Sequence, residues 1–261
     1  MKLHIEHDTC YGYEGEVRAS IQYLRLTPKN NEQQKILDWH LELPGDANEI
    51  DDGYGNRLTV LTLDYPQPEI TIRAVGTVDL KGIDICTHDS CVPPQVFLRQ
   101  TELTEPDNEL RRFAEQYPPN YDGLQAMMRD LLSTVRYTPG ATTVSHTAAE
   151  AFAIGAGVCQ DHTHIFVACC RHLGMPARYV SGYIHTQDGD HISSHAWAEV
   201  WIDDGWYTFD VANGLLMPDS HLKLAVGLDY LEAAPVRGIR YGGGQESLSA
   251  SALVSRMANE Q

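Results

Sequence analysis

With 261 residues, 43% of them hydrophobic, the chain carries enough apolar material for one large globular domain or two modest ones. Its formal net charge of −17 argues for solubility and against nucleic acid and anionic membrane surfaces as partners. The opening stretch Met1 to Asp8 has no apolar signal core and no later run reaches the length of a membrane span, so a cytoplasmic location is the expectation.

Residues 1 to 100 read as β. Short alternating segments near 16–26, 35–43, 58–64 and 69–79 are separated by Pro, Gly, Asn and Asp, the pattern of a small sandwich-like domain. Residues 101–120 carry charge together with Pro106, Pro118 and Pro119, which fits a linker with a short helix. From 121 to 261 the pattern changes to that of a mixed core. A helix is expected at about 121–135, then a turn at Pro139-Gly140, then a capping box, Thr147 to Glu150, opening a helix toward Gly155. The next helix opens at Cys159 and runs to Leu173. Ile165, Phe166, Cys169 and Leu173 fall at helical spacing, Gly174 supplies a left-handed stop, and Pro176 forbids continuation. Strands follow near 177–184, 194–202 and 206–210, and Gly242 to Gly244 precede a last strand-like stretch, 247–254. The fold class is therefore α+β, a β-rich amino-terminal domain followed by a helix packed on an antiparallel sheet.

Cys159 is the most informative residue. A cysteine in the first turn of a helix feels the positive end of the helix dipole, which favours thiolate, the nucleophilic form. A buried structural thiol is the ordinary fate of a free cysteine, but here a base follows in a suitable setting. In the stretch 195–202, Ala196, Ala198, Val200 and Ile202 make one face, and His195, Trp197, Glu199 and Trp201 the other. This reads as a strand buried on one side, with His195 among aromatics on the other. On the following strand, Trp206, Thr208 and Asp210 share a face. Cysteine, histidine and aspartate form a workable set of nucleophile, base and orienter.

Register complicates the third member. A tight turn at Asp204-Gly205 makes paired residue numbers sum to 409, which places Asp210 opposite Glu199, roughly 13 Å along the strand from His195. A turn centred near Ile202 and Asp203, or a bulge, is needed to bring Asp210 beside His195. Glu199 and Asn213 are rival orienters.

The segments GVCQDHTHIF, MPARYVSGYI, SSHAWAEVWI and GWYTFDVANG resemble the core of the bacterial transglutaminase-like superfamily, relatives of papain-type cysteine proteases. Upstream, YLRLTP (23–28), DDGYGN (51–56) and the stretch to Asp79 resemble the amino-terminal domain that accompanies this core in bacteria. Downstream, AVGLDYLEAAPVRGIRYGGG (225–244) resembles its closing segment. The resemblance implies a papain-like fold with Cys159, His195 and Asp210 as catalytic triad. It also implies attack on a peptide bond or glutamine side chain in a protein or peptide substrate, through a thioester. Hydrolysis is the first expectation, since it needs no acceptor pocket; transglutaminase or deamidase activity and a non-catalytic scaffold are the alternatives. For the oxyanion, the Cys159 backbone N–H is the natural donor, with Tyr137 and Gln160 as candidates for a second. His162 where an aromatic is usual, Val211-Ala212 for Pro-Thr, and Leu228 for an arginine are departures that spare the triad.

No cofactor or metal is expected. The six cysteines fit reduced thiols better than a disulfide framework. Cys86 and Cys91 with His88 between do not match a standard zinc spacing. Asp161, His162 and His164 read as a polar helix face lining the cleft. A zinc hydrolase built from His162, His164, His191 and His195 is the metal-dependent alternative. The Trp197, Trp201 and Trp206 rings read as core.

Overall fold

The computed structural model describes residues 1–257 apart from 84, 88, 90, 186–193 and 218. Its longest element is the first strand, β1 (Lys2–Leu24), followed by β2 (Gln34–Glu42), β3 (Ala47–Asp51), β4 (Arg57–Leu63) and β5 (Gln67–Leu80). They pair antiparallel in the order β2-β5-β1-β4-β3. β1 spans both halves of the sheet: Lys2 to Gly12 pair with β5, Ser20 to Leu24 with β4, and the register shifts between Gly12 and Val17. An irregularity in the middle of so long a strand lets the sheet curl over its apolar face. That face carries Leu3, Ile5, Leu61, Ile70, Ile72 and Val78.

The chain then passes through β6 (Ile85–Cys86), a 3-10 turn (Pro94–Leu98), α1 (Asn108–Ala114), α2 (Tyr121–Thr134), β7 (Arg136–Tyr137), α3 (Ala148–Ile154), β8 (Ala156–Gly157), α4 (Cys159–His172), β9 (Ala177–Ile184), β10 (Ser194–Ile202), β11 (Gly205–Phe209), β12 (His221–Gly227) and α5 (Tyr230–Ala233). A second antiparallel sheet has the order β12-β9-β10-β11-β6. α4 packs on it through Ile165, Phe166 and Cys169 against Ala198, Val200 and Phe209. The sequence suggested an amphipathic helix, yet α4 is buried on every side from Gln160 to Arg171, because α1, α2 and α3 cover the flank that the sheet leaves free. α1 lies in the stretch that reads from sequence as linker, and it buries Leu110 and Ala114 in this same core.

The closing segment forms β13 (Val236–Gly242) and β14 (Glu246–Arg256), and both pair with β1. The two sheets also share a core, in which Tyr183, Leu222 and Leu224 of the second sheet join the apolar face of the first. No described helix is long and apolar enough to cross a membrane.

The face of β10 expected to be open is buried. Opposite α4, the second sheet holds Arg178, Glu199 and Lys223, joined by Asp89 from the segment before the 3-10 turn. Arg178 donates to Glu199 at 2.8 Å and to Asp89 at 2.7 Å; Lys223 meets Glu199 at 2.7 Å and also contacts Asp89. The guanidinium lies 4.1 Å from the Trp206 ring, and Trp197 and Trp206 are core side chains as the sequence suggests. Two cations and two anions close this cluster. Removing one cation leaves a buried charge uncompensated, so Arg178→Met is expected to cost about 3–5 kcal/mol. Urea unfolding checks this: the midpoint falls while the slope stays the same.

Candidate active site

Cys159 is the first residue of α4, and the chain before it is shaped to put it there. Thr147 caps α3, accepting from the Glu150 N–H at 3.2 Å while Glu150 accepts from the Thr147 N–H at 2.9 Å, as the capping box requires. Gly155 ends α3 at φ 67°, a left-handed conformation suited to glycine. Gly157 leaves room for a carboxylate: a Cβ there would sit 2.6 Å from Asp161. Asp161 accepts from the Val158 N–H and from the Thr142 hydroxyl, both at 2.7 Å, and so fixes the start of the helix. The Cys159 N–H stands in the first turn, where no helical carbonyl can reach it.

His162 and His164 of α4 do not line the cleft, contrary to the sequence reading. His162 is buried between the carbonyls of Val158 and Val135, each 2.9 Å from a ring nitrogen. His164 accepts from the Tyr230 N–H at 3.1 Å, and burial pushes its pKa down to about 3. Asp161 is also buried, in the cap just described. All three sit inside the helix layer because α4 is enclosed all round.

His195 lies near the start of β10, with Trp197 stacked beside it at 6.1 Å between centroids. Its Nε2 donates to Asp210 Oδ2 at 2.8 Å, which leaves Nδ1 for the Cys159 thiol, with which it lines one cavity. Burial works against a charged ring, but the hydrogen bond to Asp210 and the neighbouring Cys159 outweigh it and raise the His195 pKa from 6.5 to about 10. For Asp210, burial alone would raise the pKa; hydrogen bonds from His195 and His221 overcome that and hold the carboxyl well below its usual range.

The register that allows this differs from the tight-turn reading. The hairpin turns at Asp203-Asp204, between the paired Ile202 and Gly205, and Asp203 takes φ 53° at the first turn position. Paired numbers thus sum to 407, as in Ala198 opposite Phe209. β11 ends there, and Asp210 forms an isolated bridge to Leu215 that turns it out of the ladder toward His195. Of the rival orienters, Glu199 is engaged by Arg178 and Lys223 in the ionic cluster. Asn213 does join the site: its amide donates to Asp210 Oδ2 at 2.8 Å and lies 3.2 Å from His195 Nε2.

The sequence reading missed His221. Its Nε2 donates to the same Asp210 oxygen at 2.9 Å, and its ring meets Trp197 edge-on at 5.0 Å. The available signal was position, since His221 opens a buried strand much as His195 nearly does. His195, Asp210 and His221 are the described group whose donor atoms, all within 4.8 Å of one another, have the spacing of a metal site. Here both rings hydrogen-bond the Asp210 oxygen directly, at 2.8 and 2.9 Å. Of the metal readings made from sequence, His162 and His164 bond backbone groups, while His88 and His191 lie outside the described residues.

Cys159 and His195 open onto a cavity of ≈ 370 Å³ that Tyr137 and Gln160 also line. The Gln160 amide is turned to the Val144 carbonyl at 3.3 Å, and Tyr137 is half exposed.

Comparison with known proteins agrees with this architecture. The sequence model of the transglutaminase-like superfamily matches residues 110–211, and that of the bacterial transglutaminase-like N-terminal region matches residues 3–79. The uncharacterized protein ML0607 of Mycobacterium leprae is 28% identical over 98% of this chain and 99% of its own length. The uncharacterized protein Rv2569c of Mycobacterium tuberculosis is 28% identical over 95% of this chain and 90% of its own. Among solved structures, a proposed cysteine protease from Cytophaga hutchinsonii has the same fold, with a TM-score of 0.80 at 23% identity over 100% of this chain and 92% of that one.

The raised His195 pKa has a signed consequence. Its contribution to stability is whole below pH 6.5, the unfolded value, and is lost as pH climbs toward about 10. Thermal melting between pH 6.5 and 10 is expected to show a fall in stability that Asp210→Asn makes shallower; equal slopes in the two proteins contradict the assignment.

Proposed function

We infer, for a chain that belongs to the transglutaminase-like superfamily and carries the bacterial N-terminal region ahead of its core, that it is a thiol-dependent amide and peptide hydrolase. Cys159 is the nucleophile, His195 the acid and base, and Asp210 the orienter. The observation that carries the reading is the 2.8 Å bond from His195 Nε2 to Asp210, which leaves the ring's other nitrogen for the sulfur across the shared cavity. Protein or peptide chains are the proposed partners.

The steps follow from the geometry. The Cys159 thiolate attacks the amide carbonyl carbon, and the oxyanion that forms faces the free Cys159 N–H at the helix start. Imidazolium Nδ1–H gives its proton to the departing nitrogen as the C–N bond breaks, leaving a thioester and a neutral ring. His195 then takes a proton from water, whose oxygen attacks the thioester. The C–S bond breaks, the acid leaves, and the thiolate–imidazolium pair is restored. Asp210 stays ionised throughout, steadied by His221 and Asn213.

Three measurements test this. Cys159→Ala is expected to lower hydrolysis of peptide amides at least roughly a thousandfold. With a labelled primary amine present, free acid is expected as the main product; amine-bearing product would make the chain an acyltransferase instead. Near neutral pH, iodoacetamide is expected to label Cys159 faster than the exposed Cys91, and His195→Ala to abolish the difference. Equal rates would favour a non-catalytic scaffold.

A further inference from the structure

The cavity at Cys159 is not built by the core alone. His7, Thr9 and Tyr11 of β1 and Leu248 and Ala250 of β14 line it together with the core residues, so the N-terminal sheet forms part of its wall. Among the described residues that line it, none is Asp, Glu, Lys or Arg, although the chain has a net charge of −17. Its aromatic surface comes from Tyr11, Tyr137, Tyr179 and Tyr230, and its volume is within the range of ligand pockets.

The wall is pinned to the core by a hydrogen-bonded chain whose polarity can be assigned. Tyr183 of β9 is buried, and its hydroxyl lies 2.5 Å from His7 Nδ1. If that oxygen accepted from the ring, its own proton would be left buried without an acceptor among the described residues. The phenol therefore donates to Nδ1. Burial keeps the His7 ring neutral by lowering its pKa, so the ring carries its proton on Nε2, 3.1 Å from Thr9 Oγ1. Thr9 accepts that proton's bond and keeps its own hydroxyl hydrogen to donate. Thr9 lines the cavity, and a ligand carbonyl is an acceptor it can meet there.

We propose that this cavity is a subsite for an uncharged, apolar side chain flanking the scissile amide, with the N-terminal sheet supplying its selectivity and the Thr9 hydroxyl donating to a backbone carbonyl of the substrate. The proposal rests on the hydrolase reading for what is cleaved, but not for what binds. A charged side chain entering the subsite would lose its hydration, and apart from His195, which is already held by Asp210, the described wall offers it no charged partner.

The test uses the full-length Cys159→Ala protein, titrated by NMR or calorimetry with acetyl-phenylalanine, acetyl-glutamate and acetyl-lysine methylamides. The phenylalanine compound is expected to bind at least tenfold tighter than either charged one. Ala250→Glu, placed on an exposed wall position in the same background, is expected to weaken it and to favour the lysine compound. Thr9→Val, of nearly the same shape, is expected to weaken the phenylalanine compound severalfold. Binding of none of the three, equal binding of all, or an order unmoved by Ala250→Glu would overturn the subsite. Intact binding order with no cleavage of these amides by the unsubstituted protein would instead sink the hydrolase reading alone.

Discussion

One carboxylate oxygen, Asp210 Oδ2, accepts from His195, His221 and Asn213, and the arrangement of the second sheet can be traced back to it. A buried anion is tolerated only when donors replace the water it has lost. Three N–H groups do so here, drawn from β10, from β12 and from the loop after β11. The oxygen thus fixes where β11 must end and how β12 must lie against β9. It also decides which nitrogen of His195 is left to face Cys159. The pKa of His195 and the low pKa of Asp210 express a single interaction seen from its two sides.

The sulfur is placed by independent means. Gly157 and Asp161 form a compact cap that starts α4 at Cys159, and the helices packed around α4 hold it rigidly. The cap is local to the chain around Cys159, while α2 and α4 pack on the sheet through Tyr121 and Phe166 against Phe209. The thiol and the imidazole are thereby presented from a helix tip and a strand held on one shared core, as the proposed chemistry requires. The Arg178–Glu199–Lys223–Asp89 cluster supports the sheet from the opposite face, where an apolar filling would have served stability alone.

Much of this was legible in the chain. The Thr147–Glu150 cap, the Gly155 stop, the helix opening at Cys159 and the strand 194–202 all rest on local rules of capping and periodicity, and these elements form as expected. What escaped depends on contacts distant in sequence. The first half of β1 was not read as strand because its inward positions include His7 and Thr9, polar residues that look out of place until β9 and the cavity are brought against them. The burial of His162 and His164 follows from three helices covering α4, which no single helix's pattern reveals. The hairpin register turned on one residue, Asp203, taking a positive φ that Gly205, two positions on, would have seemed to claim. His221 could not be paired with Asp210 without knowing that β12 borders β9.

The N-terminal sheet gains a clear structural place from the same contacts. β1 meets the closing strands β13 and β14 and lends residues to the cavity, so β1 and β14 meet beside Cys159. The central claim is that His195 is held as an imidazolium by Asp210. It is tested most directly by nitrogen-15 NMR of the ring nitrogens in histidine-labelled protein. At pH 8 both His195 nitrogens are predicted to carry protons, and in Asp210→Asn one of them to be lost. A His195 ring that titrates near 6.5 in the unsubstituted protein would contradict the account.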